Sequence, residues 1–280
     1  EMKNRPSIAL LTSLLLATVG CTSIRVPPPR YLNDAEPGKA GVVYVFDMAV
    51  KNDVAQQSLG SLSIIFASRK FTEKELADCK TSLDFMGKFG ESIIRESLPV
   101  QGLGCAALPE GEYYASPNIA GYSRSGNSLL AALKAGTTAA ERYENMLAFG
   151  AARFHSEVGK AAVVWVQEIP GGGGASLKTE TIGVITDPDS NPAKAQDDLI
   201  GWLAGDVLAR QYVAVLLLSK VGDQKAIAPM QELAQTEPRI ATLVQHVLSE
   251  IVRRTGSTSG PAGAAQVTSM VAGPAAPAKG

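Results

Sequence analysis

Histidine is nearly missing from this 280-residue chain: His155 and His246 are all there is. Imidazole carries most acid–base catalysis near neutral pH and most transition-metal ligation, so the composition weighs against both. Cysteine is scarce too, with three residues and no CxxC spacing for zinc or dithiol redox chemistry. Charge of one sign is lacking: 26 basic residues face 27 acidic ones, for a net charge of −1. That balance gives no broad electrostatic attraction to nucleic acid or anionic lipid, and the pairs Arg69, Lys70 and Arg253, Arg254 read as solvated element ends. The apolar stretch at 8–19 stops well short of the ~20 residues that a helix needs to cross a bilayer. Nothing indicates a cofactor or a small-molecule substrate. What remains is enough chain for one or two domains with a real core.

The first twenty residues are the most informative. Lys3 and Arg5 precede the apolar stretch, and small residues lead to Gly20 and Cys21. This is the layout of a secretion signal at 1–20, cut after Gly20. The run LATVGC at 16–21 resembles the lipobox of bacterial lipoproteins, although Thr18 stands where that family usually has Leu. The resemblance implies that Cys21 is acylated and anchors the chain in membrane lipid. It also implies an envelope location, with Thr22 pointing to the outer membrane on its periplasmic side. The other reading of Cys21 is a chance thiol behind an ordinary cleavable signal.

With Cys21 assigned to lipid, Cys79 and Cys105 remain as an even pair in an oxidising compartment, either bridged or two separate buried thiols. Residues 21–38, with Pro27, Pro28 and Pro29, read as an extended linker that lifts the body off the lipid.

The region 39–190 reads as mainly β. Strands are predicted at 41–46 and 62–67, and 161–166 pairs with 181–185 across a glycine loop at 171–174. Residues 105–108 and 112–115 flank Pro109, Glu110 and Gly111 as strand, tight turn, strand. Two helices interrupt. One starts at the capping box of Thr72 and Glu75 and puts Leu76, Cys79, Leu83 and Met86 on one face; the other spans 128–149. Beyond about 195 the period is helical, through an apolar 207–220, a break at 221–223, a further helix at 226–236, and one started by Pro238 and ended near Arg254. The Gly-, Ala- and Pro-rich tail 255–280 has too little apolar area to fold.

Residues 38–46 (GKAGVVYVF), 108–113 (LPEGEY) and 154–166 (FHSEVGKAAVVWV) resemble small bacterial lipoproteins of unknown function. Those carry a β-sandwich related to carboxypeptidase regulatory domains. The stretch 216–251 resembles HEAT repeats, with LLSKVGDQKAIAPMQELAQTEPRI at 217–240 matching their helix–turn–helix unit. Together these imply an α+β protein: an antiparallel β-sandwich with helical insertions, then a HEAT-like segment at 195–254. The implied role is non-enzymatic.

Candidate chemistry is thin. Ser123 and Ser125 sit in GYSRSG at 121–126, which departs from the GxSxG elbow, and the glycines at 171–174 lack the Lys and helix start of a phosphate cradle. Asp187, Asp189, Asn191 and Asp198 echo a calcium loop, but Pro192 occupies the place of its turn glycine. Leu216, Leu217 and Leu218 point three ways around a helix, so at least one faces the β region or a partner. The sequence therefore favours a lipid-anchored scaffold with an envelope protein or cell-wall partner. A cell-wall-modifying enzyme or a calcium-binding surface lipoprotein are the alternatives.

Overall fold

The structure is a computed structural model, and it describes residues 25–60, 62–68, 78, 97–117, 151–169 and 176–256. The signal with Cys21, the helices expected near 72–89 and 128–149, Cys79, Ser123, Ser125, the glycine loop and the tail from 257 on lie outside the described residues.

The fold is α+β. One five-stranded sheet has the order β1-β7-β2-β10-β11, from β1 (Arg30–Tyr31), β2 (Ala40–Asp47), β7 (Leu103–Pro109), β10 (Lys160–Ile169) and β11 (Ser176–Thr186). A four-stranded sheet has the order β6-β5-β8-β9, from β5 (Leu62–Ser68), β6 (Leu98–Val100), β8 (Gly111–Pro117) and β9 (Ala152–Ser156). A hairpin of β3 (Ala49–Lys51) and β4 (Val54–Gln56) turns on Asn52 and Asp53, whose positive φ of 50° and 58° match a two-residue primed turn. Four helices follow: α1 (Pro192–Leu203), α2 (Leu208–Val221), α3 (Gln224–Thr236) and α4 (Ala241–Thr255).

Every residue of β2 is buried, because the five-stranded sheet is covered on both faces. Val43 and Val45, with Ala162, Val164 and Val166 of β10, face the second sheet and meet Ile64, Phe66, Tyr113 and Phe154. Val42, Tyr44 and Phe46, with Ala161 and Val163, face the helices. Two-sided burial is why β2 reads as a continuous apolar run and not as an alternation.

Three expectations are corrected. The five-stranded sheet is mixed and not antiparallel: β2 pairs parallel with β10, and β1 parallel with β7. The chain between β2 and β10 builds the second sheet before returning, and so long a crossover permits parallel pairing. β7 and β8 are consecutive but do not form a hairpin. β7 pairs with β2, and β8 pairs with β5 and β9, so Glu110 and Gly111 form a corner between sheets. Leu108 and Tyr113, on either side of that corner, both enter the inter-sheet cluster. Finally, the proline segment is not a free spacer. Val26 packs on the cluster between sheet and helices, β1 joins the sheet, and Leu32 is wholly buried on the other side.

The helices are one layer of the body. α2 is buried on all sides from Gln211 to Ser219, so Leu216, Leu217 and Leu218, expected as an interaction surface, are core at 7 %, 0 % and 0 % exposure. Side chains also fasten the layer to β11, the sheet edge. The Asp198 carboxylate accepts from the Thr186 N–H (2.7 Å), and Arg210 Nε donates to the Ile182 carbonyl (2.7 Å). Covering an edge strand in this way removes a template for unwanted pairing.

Candidate functional site

Asn191 precedes Pro192, and its side chain caps α1 by accepting from the Lys194 N–H (3.1 Å). This cap fixes the turn from β11 into the helices and with it the four oxygen ligands expected from sequence. Each has another employment. Asp187 Oδ1 accepts from the Asp189 N–H (3.1 Å), which shapes the turn. Asp189 Oδ1 pairs with Lys220 Nζ at 2.7 Å, and Asp198 holds β11. No group of three or more His, Cys, Asp or Glu among the described residues is placed to hold a metal. One oxygen of each of these side chains is thus turned to a backbone N–H group or to a lysine.

Behind this turn lie Tyr44 and Cys105, neighbours across β2 and β7. Cys105 is a free thiol, 2 % exposed, and burial pushes its pKa up to about 12, with Lys220 opposing in part. A thiol so placed stays protonated and unreactive at neutral pH. It also faces the helical layer, whereas the segment that bears Cys79 leaves from β5 and returns through β6 in the other sheet. The expected Cys79–Cys105 bridge is therefore not what the structure carries at Cys105. The Tyr44 hydroxyl is fully buried beside the Cys105 thiol, and desolvation raises its pKa.

At the far end of β2, Asp47 is 1 % exposed. Its Oδ2 accepts from the N–H groups of Ser58 and Leu59 (both 2.7 Å) and from Ser58 Oγ (3.3 Å), while Oδ1 has no partner. Desolvation raises its pKa despite these donors. Tyr212 stacks on Phe46 (6.1 Å between centroids), and its pKa is pushed up to about 12, first by burial and then by the Asp47 charge. Asp47 is thus a clasp for the 57–60 loop. Its signal in the sequence is a single carboxylate ending an otherwise apolar run.

The histidines separate as their sequence positions suggest. His155 lies on the solvated face of β9, with Nδ1 3.1 Å from Glu112 Oε1, and Arg153 Nε donates to the other oxygen (3.2 Å). His246 is on α4, 3.7 Å from Glu250. Between α3 and α4 runs a shallow groove of about 270 Å³, lined by Ile227, Leu248 and Val252 with Gln231, Gln245, Ser249 and Arg253 around them. Its lining is apolar with a polar rim and carries no nucleophile–base pair.

No family model matches the chain, and neither the curated proteins nor the solved structures gave a match.

Proposed function

We propose that the chain is a bacterial envelope lipoprotein, anchored in lipid through Cys21, whose body is a non-enzymatic interaction module. The observation that carries the anchoring is the ordered series of Lys3, Arg5, an apolar stretch, Gly20 and Cys21. Support for the non-catalytic role comes from how the polar groups are used: Asp47, Asp187, Asn191 and Asp198 hold turns, caps and strand ends, and Cys105 is an inert thiol. We read the two facing sheets as a β-sandwich of the carboxypeptidase-regulatory kind, with the resembling motifs falling on β2, on the β7–β8 corner and on β9–β10. We read α3 and α4 as one HEAT-like unit, with Gly222 at the break and Asp223 capping α3. Attachment is placed on the periplasmic side of the outer membrane.

Growth with an alkyne fatty acid tests the anchor. Label at Cys21, lost in Cys21→Ser together with membrane attachment, is expected; a mature chain that starts elsewhere by intact mass refutes it. Photo-crosslinking amino acids at Gln231, Ser249 and Glu112 in the acylated protein test the module. A discrete adduct from one of these surfaces is expected in native membranes, and none from any surface position speaks against an interaction role.

A further inference from the structure

The segment Val26 to Leu32 wraps the open edge of β7. Val26 packs on the helix side of the five-stranded sheet, Pro27 and Pro29 are half-buried, β1 pairs with Ala106 and Ala107, and Leu32 plugs the inter-sheet cluster on the opposite side. Val26 is therefore already part of the packed body. Only four residues separate Val26 from Cys21, and the five steps between them span, fully extended, at most ~18 Å at ~3.6 Å each. A free linker up to Leu32 would reach ~40 Å on the same measure. A tether this short holds the β1 edge at the depth of the headgroups and restricts which way the body can face.

What lies on that edge suits such a place. Arg25 and Arg30 are exposed, and Tyr31 is 42 % exposed on a two-residue strand that, among the described residues, has no strand on its outer side. Cations and amphipathic aromatic rings are the side chains enriched at the membrane–water boundary, where the ring sits among headgroups and the cation meets phosphate. The net charge of the chain supplies no general attraction to lipid, so this local set and the tether must do it. The geometry points to the β1 edge, with Arg25, Arg30 and Tyr31, as a membrane-facing surface that rests on lipid headgroups. The inference relies on acylation of Cys21.

Hydroxyl-radical footprinting of the full acylated protein in mixed phosphatidylethanolamine and phosphatidylglycerol vesicles tests it, after intact mass has established the acyl chains. Tyr31 is expected to oxidise several-fold more slowly in vesicles than in the same mature chain made without lipid, with Tyr114 and the α3–α4 face unchanged. A flexible Gly/Ser insertion after Thr22 is expected to restore part of that reactivity; protection that survives the insertion still assigns the surface to lipid, through its own affinity. Equal Tyr31 oxidation in an acylated protein overturns the inference while the anchor stands. Protection that fades on diluting the protein within the vesicles means a second copy covers the edge, and it overturns the inference as well. A mature chain without acyl groups overturns both readings, and the mass alone shows it.

Discussion

Arg254, near the end of α4, reaches three carbonyls that the end of α2 leaves open: Ser219 (2.6 Å), Lys220 (3.1 Å) and Gly222. A guanidinium there satisfies orphan acceptors and sits at the negative end of the helix dipole. Arg254→Met, which keeps the stem and removes the donors, should cost about 1–3 kcal/mol, read as a shift in the urea midpoint. Asp198→Ala should cost a similar ~1–3 kcal/mol, because the Thr186 N–H loses its acceptor in a partly buried place; Asp198→Asn should lose less. Asp47 gives a pH signature. Its folded pKa lies above the unfolded value, so the stability linked to it is fully present below the unfolded pKa and is lost as pH rises through the folded one. Asp223, held low first by its bond from Gln196, runs the opposite way and loses its contribution as pH falls. Asp47→Asn should therefore flatten the decline that sets in as pH rises above the ordinary carboxylate range, in a series of urea titrations.

At the level of elements, α2 decides whether the helices are an appendage or half of the core. Leu217 is fully buried, and Leu217→Ala should cost about 2–5 kcal/mol. Removing residues 197–280 strips one face of the five-stranded sheet, exposing Val42, Phe46 and Val163, so the remainder should lose its cooperative unfolding transition. Survival of a sharp transition in that truncated chain would make the helices a separate unit. The elements themselves were largely legible: β2, β5, β10, β11 and the three last helices announce themselves by apolar runs and by the break at 221–223. Their partners were not. Pro109, Glu110 and Gly111 suit a hairpin as well as a corner, and only the burial of Leu108 and Tyr113 in one cluster selects the corner. Three successive leucines in α2 say that the helix has no solvated face, but not whether a sheet or another protein covers it. The same holds for the candidate site: Asp187, Asp189, Asn191 and Asp198 carry the right atoms for a cation, and where those atoms point is set by backbone geometry that composition does not encode.

Across the whole molecule, the seam between β9 and β11 is closed by side chains in place of a strand ladder. The Thr179 hydroxyl accepts from the Ala152 N–H (2.7 Å) and donates to the Ala115 carbonyl (2.6 Å), and Thr181 Oγ1 donates to the Arg153 carbonyl (2.9 Å). Thr179→Val, similar in shape without the hydroxyl, should open this seam first. Faster amide exchange at Ala152, with the exchange of Val43 and Val45 unchanged, is the expected record. The parallel pairing of β2 with β10 has a different consequence, in time and not in energy. Residues 42–47 at the centre of the sheet pair on one side with β7 but find their partners on the other side only at 161–166, after the chain has laid down most of the second sheet. Contacts so distant in sequence must close a long loop before they return anything, which places such topologies among slow folders, in the millisecond-to-second range. Trp165 is the natural clock, since its ring stacks on Phe46 and its indole N–H donates to the Met48 carbonyl (3.1 Å) only once that pairing exists. A chain emerging from its N-terminus has no completed five-stranded sheet until β10 arrives, so the centre of the body closes late in synthesis.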